Sequence, residues 1–122
     1  VSIENACHVC VAAHSAASAA VGLDASVIEA VRNNQRIADP RLEALRVFTR
    51  RMAQQRGFVS DTDVSVFLNA GWEKAAILGV VLGIALKTMS NYANHVAETP
   101  LNTAYKPFAW APCTRACGAG DA

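Results

Sequence analysis

The stretch Asp39-Pro40-Arg41-Leu42-Glu43-Ala44-Leu45-Arg46-Val47-Phe48-Thr49-Arg50-Arg51-Met52, closed by Gly57, sets the class of the fold. Asp39 suits an N-cap, Pro40 suits the first helical position where no N–H is needed, and Gly57 suits the stop. Leu42, Leu45, Phe48 and Met52 recur at helical spacing, and charged residues fill most of the remainder, so the segment predicts an amphipathic helix. The row Arg46, Arg50, Arg51, Arg56 is expected to form a solvated face.

Outward from this helix the same signals repeat. Ser60 with Asp63 resembles a capping box opening a short helix that ends by Gly71, and a long helix is expected from about Glu73 to Val96, ahead of Pro100. On the other side, Asp24 is an N-cap for a helix to about Asn33. Before it, a first helix is expected from near Ser2 to about Val21, with Gly22 as its left-handed terminator. No segment alternates apolar and polar residues for long, so the fold class is all-α: about five helices in a bundle over residues 1–103 and an extended or disordered tail over 104–122. Trp72 and Trp110 read as packing anchors.

The composition fits one folded domain. Of 122 residues, 52% are hydrophobic and 17% charged, which excludes a disordered chain. Eleven basic residues against ten acidic ones give +1, so no charge excess points to nucleic acid or an anionic membrane. The longest apolar run, Ala75 to Leu86, is bracketed by Lys74 and Lys87 and is shorter than the ~20 residues that span a bilayer, so it reads as a buried helix. Gly79 and Gly83 within it suit close helix packing, against another subunit or, the preferred expectation, inside the monomer core. The chain begins without Met or a secretory leader, and a segment ahead of Val1 is expected.

The four cysteines fall in two tight pairs, Cys7 with Cys10 and Cys113 with Cys117, rather than in the dispersed pattern of a secreted disulfide scaffold. A cytoplasmic location and a redox or metal role follow as expectations. In Cys7-His8-Val9-Cys10-Val11-Ala12-Ala13-His14, a continuous helix would bring Cys7, Cys10 and His14 within roughly 60° of one another, on one face. A thiolate is the reactive form of cysteine, and an imidazole one turn away can take its proton. The expected chemistry has Cys10 attacking, His14 as proton partner and Cys7 closing a Cys7–Cys10 disulfide that an external dithiol reopens. Glu4, one turn before Cys7, is a candidate proton relay or, the preferred expectation, a solvated surface residue, and Asn5 suits a residue that orients a pocket group or, again preferred, a plain surface residue. Two rival readings stand beside this: two small buried apolar cysteines, or zinc ligands supplied by the Cys pair and His. Cys113 and Cys117 suit a ligand pair, a second redox pair or thiols of a disordered tail.

Three stretches carry a resemblance: Val1 to Cys10 running into Ala13-His14, the spacing to Gly22-Leu23, and Asn91-Tyr92-Ala93-Asn94-His95 with Glu98-Thr99-Pro100-Leu101. Over about residues 1–103 the chain resembles the alkylhydroperoxidase D-like branch of the carboxymuconolactone decarboxylase superfamily. Decarboxylases of that superfamily typically lack the cysteine pair. The resemblance implies an all-helical homo-oligomer with the cysteine helix near subunit contacts. It also implies a thiol peroxidase or disulfide oxidoreductase with no bound cofactor, recharged by a dithiol or a partner redox protein. It makes Cys10 the attacking cysteine and His14 part of a proton relay. The family's relay glutamate would fall before Val1, and its histidine before the second cysteine is Val9 here. Tyr92 and His95 border a substrate pocket by the same analogy, without being named catalytic. The alternatives are a decarboxylase-like enzyme acting on a small lactone or acid, and a non-catalytic metal-binding helical protein.

Overall fold

Helix starts follow the caps. In the computed structural model, which describes residues 1–112, Asp24 accepts from Ser26 N at 2.7 Å and opens α2 (Ala25–Arg32). Asp39 accepts from Leu42 N at 2.8 Å and opens α3 (Pro40–Gln54). Ser60 and Asp63 exchange side-chain and backbone bonds in a capping box that opens α4 (Asp61–Asn69). The remaining elements are α1 (His8–Ala20), α5 (Lys74–Val96) and a 3₁₀ helix, Thr103–Phe108. The all-α class holds, with no strand among the described residues. Cys113 and Cys117 lie outside the described residues.

The core gathers where α3 and α4 meet the first half of α5. Phe48, Met52, Phe67 and Val80 are buried there, with Leu45, Val64, Leu68, Trp72 and Ile77 around them. Phe48 stacks on Phe67 at 4.4 Å between ring centroids, and Phe67 on Trp72 at 5.7 Å. Trp72 is the anchor its type suggests: its indole N–H donates to Arg41 O at 2.9 Å, and the Arg41 guanidinium lies 4.4 Å from its ring. The arginine row is a solvated face in part, with Arg51 and Arg56 exposed and Arg46 and Arg50 partly buried. Arg46 pairs with Glu43 at 2.7 Å, Arg50 lies 2.9 Å from Glu4, and Arg51 pairs with the buried Asp63.

Three expectations are corrected. The first helix does not run from Ser2. Residues 1–5 form a turn that ends when Ala6 adopts φ 51°, with Ala6 N donating to Ile3 O and Cys7 N to Ser2 O, and α1 starts afresh after Cys7. These two bonds are those of a Schellman stop, here built on alanine rather than glycine, so no residue type announces it. Secondly, part of the expected tail is folded. Asn102 caps the 3₁₀ helix, and Arg32 donates to Phe108 O and Ala109 O, each at 3.0 Å, while Trp110 Nε1 donates to Arg32 O at 3.0 Å. This strap lies on α1.

Thirdly, α5 is not a buried helix. One face packs on α1 and α3, but Leu78, Leu82 and Met89 are 72%, 69% and 66% exposed, and nothing lies within 4 Å of a β-carbon built on Gly79 or Gly83. The 23-residue helix is apolar and long enough, by composition, to cross a membrane. It carries an apolar stripe on one side and Lys87, Asn91 and Asn94 on another.

Candidate functional site

The break at Ala6 decides the geometry of the thiols. Cys7 becomes the N-cap of α1, with extended φ and ψ, and Cys10 falls in its first turn, where backbone N–H groups lack intrahelical acceptors. The partial positive charge of a helix N-terminus favours a thiolate there. Cys7 is 1% exposed and Cys10 6% exposed, and both are free thiols. The structure thus brings the two predicted cysteines together, with Cys7 at the helix mouth rather than on the helical face that an unbroken helix implies.

The second half of α5 supplies the polar wall. Asn94 Nδ2 donates to Cys10 Sγ at 3.1 Å. Asn91 is 0% exposed; its Oδ1 accepts from Asn5 Nδ2 at 3.0 Å and its Nδ2 donates to Ser2 Oγ at 3.1 Å. Asn5 is therefore a clamp on the site wall, not the plain surface residue expected. A fully buried amide is tolerated only when its donors and acceptors are matched, and here the N-terminal turn matches them. Lys87 stands one turn before Asn91 on the same face, and its Nζ lies 2.7 Å from His14 Nε2. An ammonium can only donate, so the ring accepts at Nε2.

The two thiols are electrostatically unlike. Burial alone would push Cys10 up, but hydrogen bonds from the Cys7 thiol, Asn94 and Asn91, together with the Lys87 charge, hold it below the ordinary thiol value. Burial, and then donation of its proton toward Cys10, pushes Cys7 up. Burial and the adjacent Lys87 push His14 down, so its ring is neutral at neutral pH. The surroundings thereby favour ionisation at Cys10 and retention of the proton at Cys7.

The other expected residues are placed differently. Glu4 faces α3, where its carboxylate meets Arg50 at 2.9 Å and accepts from Gln54 Nε2 at 2.8 Å. Tyr92 and His95 are exposed and stack on each other at 6.4 Å between centroids. Among the described residues, no three His, Cys, Asp or Glu side chains converge as metal ligands would. Lys87, Asn91 and Asn94 are the site residues that sequence reasoning missed. Their signal was present as polar residues at helical spacing, four and then three apart, on a helix whose first half is apolar.

Two cavities flank the N-terminal turn. The one touching the site, about 260 Å³, has His14, Lys87 and Ser15 on its wall with Val11, Ile28 and Val31. The larger, about 310 Å³, lies between that turn, α2 and α3, and neither cavity has Cys7 or Cys10 on its wall. No protein-family model matches the chain, and no curated protein matches it.

Proposed function

We propose that the protein is a thiol-dependent peroxidase or disulfide oxidoreductase of the alkylhydroperoxidase D-like type, working through Cys10 and Cys7. The observation that carries this reading is the asymmetry of two adjacent buried thiols, in which Asn94 donates to Cys10 at 3.1 Å while Cys7 keeps its proton. Two merely apolar cysteines would need no such partners. The resemblance of residues 1–103 supports the same reading.

In the first step the Cys10 thiolate attacks a peroxide oxygen. The O–O bond breaks, Cys10 becomes a sulfenic acid, and the departing alkoxide takes a proton from the Lys87–His14 pair. Cys7 then attacks the sulfenic sulfur, the S–S bond forms, and hydroxide leaves as water with the Cys7 proton. A reductant of the dithiol class reopens the bond, becoming a disulfide itself and returning the proton to the pair. Glu4 takes no step in this scheme, because Arg50 and Gln54 engage its carboxylate on the α3 side.

The protein works as a homo-oligomer in this proposal, with a second copy covering the stripe of Leu78, Leu82 and Met89. Open space over Gly79 and Gly83 supports close approach of another helix, and a stripe shared by identical chains is self-complementary about a two-fold axis. Its working compartment is cytoplasmic, where free thiols persist.

The test is a pair of variants treated with a small excess of peroxide. Cys10→Ser abolishes turnover, whereas Cys7→Ser stops at a sulfenic acid that a dimedone-type reagent captures. Near-wild-type turnover in both variants would overturn the proposal.

A further inference from the structure

Lys87 is placed to do more than hold one thiolate. Among the described residues it belongs to no ion pair, and its side chain is half-buried rather than free in solvent. Half-burying an ammonium without a carboxylate is costly unless another anion offsets it. Glu4, the acid nearest in sequence to the cysteine pair, is turned to Arg50. The cavity beside the site has Lys87 and Arg32 among its lining residues and no carboxylate. Arg32 has Glu29 at 3.5 Å and is committed to the carbonyls of the strap, so of the two cationic side chains on that wall Lys87 is the one left for a ligand. Ionised Cys10 is the counter-charge it meets in the site, and that charge disappears whenever Cys10 forms a disulfide.

We propose that Lys87 makes the thiol site selective for anionic reagents, so that the natural reactant at Cys10 is a small organic anion. Lys87 Nζ, on α5 two turns before Asn94 and its bond to Cys10, meets its negative group. The proposal rests on Cys10 being the reactive thiol, as in the function proposed above, and does not need a peroxide cycle. A cation at a low-dielectric rim raises the local concentration of anions and is screened by salt.

The experiment uses the reduced full chain and two alkylating agents of similar size, iodoacetate and iodoacetamide. In both reactions the Cys10 thiolate displaces iodide and a carbon–sulfur bond forms, so only the reagent's charge differs. Peptide mapping gives the rate ratio, iodoacetate over iodoacetamide, at Cys10, and N-acetylcysteinamide gives the reference. The expected ratio in the protein exceeds the reference by about tenfold. Lys87→Gln brings it to the reference value, Lys87→Arg retains it, and 1 M NaCl collapses it in the wild type, where the screening length is about 3 Å. A wild-type ratio equal to the reference overturns the proposal, as does a ratio that Lys87→Gln leaves unchanged. Failure of either reagent to modify Cys10 in the folded chain overturns it too. If Lys87→Gln does not fold, as judged by its melting curve, the salt series on the wild type decides. A chain that shows the ratio yet forms no Cys7–Cys10 disulfide with peroxide loses the redox function and keeps the anion selectivity.

Discussion

Val80 and Asn91 are both buried on α5, in opposite kinds of surroundings. Val80 packs with Phe48, Met52 and Phe67, where shape and apolar area are all that matter. Asn91 is enclosed by Asn5, Ser2 and the Cys10 thiol, where every polar atom needs a partner. One rigid helix therefore anchors the fold with its first half and presents chemistry with its second. The difference teaches that the aromatic end supplies stability to the molecule, while the polar end spends some of it on holding the Cys10 sulfur in place.

The strongest way to break this contrast is to remove Phe67, the largest fully buried side chain. Phe67→Ala is expected to cost about 3–5 kcal/mol, read by denaturant unfolding. In whatever fraction stays folded, the Cys10 alkylation profile is unchanged; a shifted profile would mean that the two ends are not separable. Leu82→Asp, on the exposed stripe, is expected to lower the mass in solution to that of one chain and to cost association about 2 kcal/mol or more. An unchanged mass by light scattering would remove the second copy from the account.

Asn94→Ala acts at the other end. Losing one hydrogen bond to the sulfur is expected to raise the Cys10 pKa and so slow its labelling at neutral pH. The sign follows from which form the bond favours: Asn94 donates to sulfur and stabilises the anion, so without it the thiolate appears only at higher pH. The pH dependence of iodoacetamide labelling at Cys10 reads this directly, and an unmoved midpoint would discard Asn94 as a thiolate donor. The smallest effect is at Ala6, whose φ of 51° strains an L-residue. Ala6→Gly is expected to stabilise by about 0.5–1 kcal/mol in urea unfolding, with little change at the thiols. A loss of stability would show that the break before α1 is held by something other than backbone geometry.

How far the sequence revealed the molecule divides along the same line. Asp24, Asp39 and the Ser60–Asp63 pair mark helix starts through local hydrogen bonds, and local chemistry is what a sequence displays. The core positions Phe48 and Met52 follow from helical spacing. The break at Ala6 was not legible, because alanine gives no sign of a left-handed conformation that the surrounding turn imposes. The burial of α5 was misjudged because an apolar run shows that a surface wants cover without saying that the same chain provides it. That Cys7 and Cys10 lie close together is legible from their spacing. Asn91 and Asn94 lie far along the chain, and their contact with Cys10 and the N-terminal turn exists only after α5 has packed on α1.

The most direct measurement of the central claim is a thiol count by mass spectrometry on the wild-type chain. Alkylation is done before and after a slight excess of peroxide, with peptide mapping of Cys7 and Cys10. The account predicts loss of two alkylatable thiols, mapped to one Cys7–Cys10 bond that a dithiol reverses. Cys7 and Cys10 remaining fully alkylatable after peroxide would contradict it.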